Sequence, residues 1–351
     1  MGLEERTQNE RPHARADWRQ MLLVGTIASA LGIAAAFLIP WFPTAASDEA
    51  GPIDTLWHVL LIVSIPVFVG VTVVVLFAVF RFRMRAGEEN LDGPPIHGNT
   101  RLEVIWTAIP AIVLVGLCTY AFVVLENVEA VEGQPLEVRV VGEQFTWTYF
   151  LDQNGKEVAT SELHLPVGRQ VRFTLGSKDV LHSFWVPAFR IKKDTVPGID
   201  VKYTVTPSKV GKFPVVCAEL CGLGHAVMRS SVVVEEQEKW DTWLADLGKP
   251  AATPEGGGAA QPVDAKAIFS DQCGSCHTLA DAGTNGTIGP DLDDVLADKD
   301  EAFIKESIVE PNKVIADGYQ SGIMPPNYGQ TLQAAQVDGL AKYLSEVTKG
   351  G

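Results

Sequence analysis

Residues 217–228 read CAELCGLGHAVM, so that two cysteines, a glutamate, a histidine and a methionine fall within twelve positions. A Cys-x3-Cys loop whose thiolates turn the same way lets Cys217 and Cys221 bridge two metal ions, and His225, four residues on, reaches one of them. A second imidazole is then needed. His182, in VLHSFWVP, is the best placed, lying some 35 residues upstream at an aromatic, Pro-containing strand end. Soft sulfur and imidazole with a weak thioether, supplied by Met228, select copper in an electron-transfer role. Two other uses of the same side chains stand beside that one: a structural zinc held by two Cys and two His, and a Cys217–Cys221 disulfide. Zinc has no use for Met228 or for the apolar wall around His182. His58 and His164 belong to no cluster and read as structural or surface histidines.

A second constellation, CGSCH at 273–277, has the Cys-x-x-Cys-His spacing of covalent c-type haem attachment, with Cys273 and Cys276 forming the thioethers and His277 the proximal iron ligand. A lone Cys-x-x-Cys also serves as a thiol redox pair or as half of a zinc site. The methionines argue for haem. Of five, Met1 is the start, Met21 and Met84 lie at apolar segments and Met228 belongs to the first cluster, which leaves Met324 in GIMPPNYG as the sixth ligand. His/Met ligation implies a high-potential couple.

The elements that must position these groups follow from composition and period. The chain of 351 residues is long enough for two or three domains, and its 28 basic and 43 acidic side chains give a formal charge of −15 that argues against a nucleic-acid partner. Three apolar stretches, Met21–Pro40, Leu56–Phe80 and Val104–Val124, are each about long enough to cross a membrane at ~20 residues per span. Arg81, Arg83, Arg85 and Arg101 lie between the second and third, so the positive-inside rule puts that loop in the cytoplasm and everything after Glu126 outside. The first stretch, preceded by Arg11, Arg15 and Arg19 and followed by PTAAS, fits either a cleaved signal peptide or a retained helix. From about Glu129 to Glu235 short alternating runs predict a β-sandwich or barrel. A Pro/Ala/Gly tract over 248–262 reads as a flexible linker. Beyond it lies a small α-domain, whose clearest helix has Leu332, Val337, Leu340, Ala341, Leu344 and Val347 on one face. That domain is acidic, with 14 Asp and Glu against 6 Lys and no Arg, a formal charge of −8.

CAELCGLGHAVM resembles the dinuclear copper loop of cytochrome c oxidase subunit II, C-x-E-x-C-G-x-G-H-x-x-M, and HSFWVP, KKDTVPG and NTRLEVIWTAIPAIVLV resemble other segments of that family over residues 55–246. The last ~90 residues resemble small monohaem cytochromes c, with GPDL at 289–292 matching a loop that lines the haem. The whole is similar to subunit II of a caa-type haem-copper oxidase. The resemblance implies an N-terminal basic segment with a signal peptide or extra membrane helix at 1–47, a membrane helical hairpin at 48–125, a cupredoxin-like dinuclear copper domain at 126–246, a linker at 247–262 and an all-α cytochrome c domain at 263–351. It implies that Cys217 and Cys221 bridge two coppers (a CuA-type centre), that His182 and His225 each cap one, and that Met228 and the Glu219 carbonyl are weak ligands. The Glu219 carboxylate would point towards a magnesium ion shared with oxidase subunit I. Glu103 matches an acid at a proton channel of the neighbouring subunit, or else is a solvated residue at a helix start. Phe145 stands where the family has the Trp that receives electrons, with Trp147 kept, which puts a standard docking site for a soluble cytochrome in doubt. The implied partners are subunits I and III, an upstream cytochrome or reductase complex as donor, and a bacterial plasma membrane with both redox domains on its outer face. Electrons would pass from haem c to copper and on to subunit I for reduction of O2 coupled to proton translocation. The rival functions are a free-standing membrane-anchored electron carrier and an electron-delivery subunit of a nitrogen-oxide reductase.

Overall fold

The computed structural model describes residues 14–81, 97–247 and 263–350. Residues 1–13 with Arg11, residues 82–96 with Arg83 and Arg85, and the linker at 248–262 lie outside the described residues.

The apolar stretches form three helices, α1 (Ala14–Leu38), α2 (Ala50–Arg81) and α3 (Thr100–Val128), each long and apolar enough to cross a membrane. A helix satisfies its backbone polar groups internally, which a span in hydrocarbon requires. Their large apolar side chains, among them Leu31, Phe68 and Ile112, point outwards instead of into a core, as they do on a helix that meets lipid. α1 is a continuous helix and packs closely on α2 at Gly32, where a Cβ would stand 2.8 Å from Ile65 Cγ2. The start of α3 carries a reciprocal cap: Leu102 N–H donates to Asn99 Oδ1 at 3.1 Å, and Asn99 N–H donates to Glu103 Oε1 at 3.1 Å.

The alternating runs form a sandwich of two five-stranded sheets. The first has the order β3 (Lys156–Thr160), β2 (Thr146–Gln153), β1 (Leu136–Glu143), β5 (Val171–Ser177), β8 (Val201–Val205). The second has the order β4 (Leu163–Pro166), β10 (Arg229–Glu235), β9 (Gly211–Cys217), β6 (His182–Val186), β7 (Ile191–Thr195). Both are mixed, because β1 pairs with β5 and β10 with β4 in parallel, whereas the other neighbours are antiparallel. The β2–β3 hairpin turns on Asn154-Gly155, both at positive φ (56° and 81°), the conformation that a two-residue turn needs to match the strand twist. Period-two alternation fills the interior with Trp147, Tyr149, Leu151, Phe173, Leu175 and Phe184. Residues 42–50 pack on the sandwich: Ala46 N–H donates to Ala188 O at 2.8 Å and Ser47 Oγ to Phe189 O at 3.0 Å. A helix that the strand pattern did not foretell, α4 (Gln237–Asp246), closes the domain, with its Trp240 Nε1–H donating to His164 O at 3.0 Å.

The C-terminal part is helical: α5 (Ala265–Gln272), α6 (Leu292–Val295), α7 (Glu301–Val309), α8 (Tyr328–Thr331) and α9 (Ala334–Val347) enclose Phe269, Ile304, Leu340, Ala341 and Leu344. It forms one compact unit with the sandwich. Asn327 Nδ2–H donates to Thr148 Oγ1 at 2.7 Å with both residues buried, and Lys212 pairs with Asp271 at 3.0 Å.

Candidate metal and haem sites

Strand pairing brings the first cluster together. Phe184 stands opposite Cys217 in the β6–β9 ladder, which puts His182 and Cys217 at the same end of one sheet. The 218–228 loop then folds back over that end, closed by Cys217 N–H to Met228 O (3.1 Å) and Ala218 N–H to Ser183 O (3.0 Å). The Cys217 and Cys221 sulfurs lie 3.9 Å apart, nearly twice the ~2.04 Å of a disulfide bond. Cys217 Sγ is 3.9 Å from His182 Nδ1 and 3.3 Å from the Glu219 carbonyl oxygen, and Cys221 Sγ is 3.7 Å from His225 Nδ1 and 3.8 Å from Met228 Sδ. Every donor expected from the sequence therefore lines one site. Cys217, Cys221, His182 and Met228 are buried, and the donor atoms of His182, Cys217 and Cys221 all fall within 4.8 Å of one another.

Sequence reasoning missed several residues that hold this arrangement. His182 Nε2–H donates to Asp179 Oδ1 at 2.8 Å, which turns Nδ1 towards the sulfurs. The Gln144 side-chain amide donates to the Cys221 carbonyl. Gly224 must be glycine because a Cβ there would stand 2.4 Å from Phe145 Cδ2. Phe145 is buried beneath this loop, and Trp147 meets the His182 ring edge-on, 6.0 Å between centroids. Burial disfavours ionisation of both thiols. Hydrogen bonds from His182 and the Ser183 N–H outweigh it at Cys217 and pull that thiol well down, whereas at Cys221 burial and the neighbouring Cys217 charge push the thiol up. Two thiols, two imidazoles and a thioether fit a soft, redox-active metal such as copper.

The second cluster lines a cavity of about 630 Å³ walled by Cys273, Cys276, His277, Pro290, Met324 and Tyr328 among others. Cys273 caps the C-terminal end of α5, and the turn continues through Cys276 N–H and His277 N–H to Cys273 O, both at 3.0 Å. His277 Nδ1–H donates to Pro290 O at 2.9 Å, leaving Nε2 as the free donor atom. Gly289 packs on that ring so closely that a Cβ would lie 2.5 Å from Cε1. Burial holds the His277 imidazole neutral at physiological pH, the form in which it ligates a metal. An apolar cavity of this size with paired thiols and an oriented imidazole on its wall fits a covalently held haem. Glu103 belongs to neither cluster and serves the α3 cap.

The description "Cytochrome C oxidase subunit II, periplasmic domain" matches residues 136–236, its transmembrane-domain counterpart matches 35–124, and "Cytochrome c" matches 262–348. Among curated proteins, cytochrome c oxidase subunit 2 of Thermostichus vulcanus is 32% identical over 60% of this chain and 80% of its own length. The subunit 2 of Alkalihalophilus pseudofirmus is 34% identical over 68% of this chain and 72% of its own, and that of Synechocystis sp. is 29% identical over 66% and 83%. The matched domains imply copper in the sandwich and haem in the helical part, and the three helices suggest a membrane-anchored protein. This chain belongs to the cytochrome c oxidase subunit II family, as a haem-copper oxidase subunit that carries a cytochrome c domain at its C-terminal end.

Proposed function

We propose that this chain receives electrons at a covalent haem c, passes them to a dinuclear copper centre of the CuA type, and delivers them to subunit I, where O2 is reduced with coupled proton translocation. The observation that carries this reading is the 3.9 Å approach of two unlinked buried sulfurs, with imidazole nitrogens at 3.9 and 3.7 Å on either side. When bound, the copper pair and the haem supply one-electron transfer.

The chain's own residues do the rest. Cys217 and Cys221 would hold the copper pair through their thiolates, with His182 and His225 as its imidazole ligands and Met228 and the Glu219 carbonyl as weak ligands. Cys273 and Cys276 would anchor the haem, and His277 and Met324 would ligate its iron. Burial keeps water from His182, Cys217, Cys221 and Met228, which limits the solvent rearrangement that accompanies a change of charge at the site. The half-buried Glu219 carboxylate is assigned to a magnesium ion at the subunit I face, and Glu103 to proton uptake, a role compatible with its capping bond. Phe145 and Trp147 flank the copper donors. The partners are subunits I and III and an upstream cytochrome or reductase complex, with the two redox domains on the outer face of a bacterial plasma membrane.

The test is isolation of the intact complex, with metal and haem analysis, near-infrared spectroscopy and oxygen uptake. Cys221→Ser removes one bridging thiolate and is expected to abolish the mixed-valence near-infrared band while haem c stays attached. Retention of two coppers per chain in that variant, or purification of the chain with no oxidase partner, would sink the proposal.

A further inference from the structure

We propose that Asn327 seats the haem domain on the copper domain, so that electrons cross through its amide, Thr148 and Trp147 to His182. The inference rests on the haem-to-copper order proposed above and adds the route and the residue that holds it.

Thr148 lies on β2 between Trp147 and Tyr149, whose side chains fill the sandwich core. The strand period turns Thr148 to the outer face, yet only 3% of it is exposed, because Asn327 of the haem domain, itself 3% exposed, sits on it. The amide donates to Oγ1 at 2.7 Å, while Asn327 Oδ1 is buried without a hydrogen-bond partner among the described residues. A polar group buried in this way depends on the one bond it makes. The other polar tie between the domains among the described residues, Lys212 to Asp271, has both side chains more than half exposed, a setting in which ion pairs contribute little.

Asn327 is joined directly to Tyr328 and lies three positions after Met324, and both of these residues line the haem cavity, as does Pro325. On the other side, one peptide link takes Thr148 to Trp147, whose indole meets the His182 ring at 6.0 Å and 65°. His182 Nδ1 is 3.9 Å from Cys217 Sγ. Each step from cavity wall to copper ligand is thus a covalent bond, a hydrogen bond or a ring contact, and such links carry electron tunnelling better than a solvent gap. One electron passes per step. The iron is left one equivalent more oxidised and the copper pair one equivalent more reduced; no bond is made or broken, no proton moves, and a one-electron donor to haem c replenishes the iron.

The test uses the assembled oxidase with Thr148→Val, Thr148→Ser, Asn327→Leu and the Val/Leu double variant. Three quantities are read: the haem-to-copper rate after flash reduction by a photoreductant, the reduction potentials of both centres, and hydrogen exchange over residues 146–160. Thr148→Val and Asn327→Leu are each expected to slow transfer about tenfold, the loss of seated population that follows from losing one buried hydrogen bond. The double variant should be no slower than either single change, and exchange over 146–160 should rise in all three. Thr148→Ser keeps the hydroxyl and should transfer at the wild-type rate, and potentials should hold throughout. An unchanged rate in Thr148→Val and Asn327→Leu overturns the route, and so does a Thr148→Ser variant as slow as Thr148→Val. A wild-type complex in which haem c never reduces copper overturns the parent reading and this one with it, and that outcome is told apart by the wild-type trace alone.

Discussion

His182 offers a nitrogen to the sulfurs in only one tautomer, and Asp179 decides which. Its carboxylate accepts the Nε2–H hydrogen bond at 2.8 Å and also accepts Gln144 N–H and Val180 N–H, each at 2.7 Å. Burial alone would raise the Asp179 pKa, but these hydrogen bonds outweigh it and keep the group ionised. Asp179→Ala is therefore expected to weaken copper binding ~10–100-fold, measured by copper titration of metal-depleted complex, with haem content unchanged. An unaltered affinity would show that packing against Trp147 is enough to orient the ring. At the other centre, Met324→Ala leaves Cys273 and Cys276 untouched, so haem should stay attached while its potential falls by a part of the ~0.8 V that axial ligation spans. Redox titration decides it, and an unchanged potential would place the sixth ligand elsewhere. The cysteines, His225 and Met228 were legible because such side chains rarely crowd into twelve residues. Asp179 and Asn327 were not, since an Asp in a turn and an Asn before a helix are ordinary, and their roles arise from contacts across 3 and 179 positions respectively.

At the level of elements, β4, β10 and α4 meet around one histidine. His164 Nδ1 lies 2.8 Å from Glu235 Oε1, its Nε2 3.6 Å from Glu162 Oε2, and its ring stacks on Trp243 at 4.3 Å. Burial opposes the charged imidazole, but the two carboxylates prevail and raise its pKa. A raised folded pKa stabilises fully below the unfolded value of ~6.5 and ceases to do so as pH climbs through the folded value. Opening of β4 and β10 should thus become easier as pH rises above the unfolded value of ~6.5, read by hydrogen exchange in the intact complex, and His164→Gln should flatten that dependence. A histidine variant with the same pH profile would remove the carboxylate pairing from the account. The element types themselves were readable. Val337, Leu340, Ala341 and Leu344 do form the buried face of α9, although Leu332 belongs to the end of α8. Strand order was not, because the parallel β1–β5 and β4–β10 pairings join residues 35 and 69 positions apart, and alternation says which face of a strand is buried but not which strand lies beside it.

Across the whole chain, the arrangement of the two redox parts sets how electron transfer responds to its surroundings. The haem domain carries a formal charge of −8 and faces a copper domain with which, among the described residues, it shares one exposed ion pair and one buried hydrogen bond. Salt weakens the first and hardly touches the second, because screening acts on charges separated by solvent and the Debye length is already below ~10 Å at ~0.2 M. The covalent tether between the two parts adds a second reason: it holds them at an effective concentration of order mM whatever the bulk concentration. Haem-to-copper transfer should accordingly be first order, independent of complex concentration, and change less than about twofold between low and ~0.2 M salt. Delivery to haem c from a separate donor has no tether and no buried bond, so it should respond to salt through the acidic surface that the donor meets. Stopped-flow or flash reduction that follows haem and copper separately makes the comparison within one sample. An internal rate that scales with complex concentration, or falls tenfold over that salt range, would mean that the haem domain of a second complex is the donor.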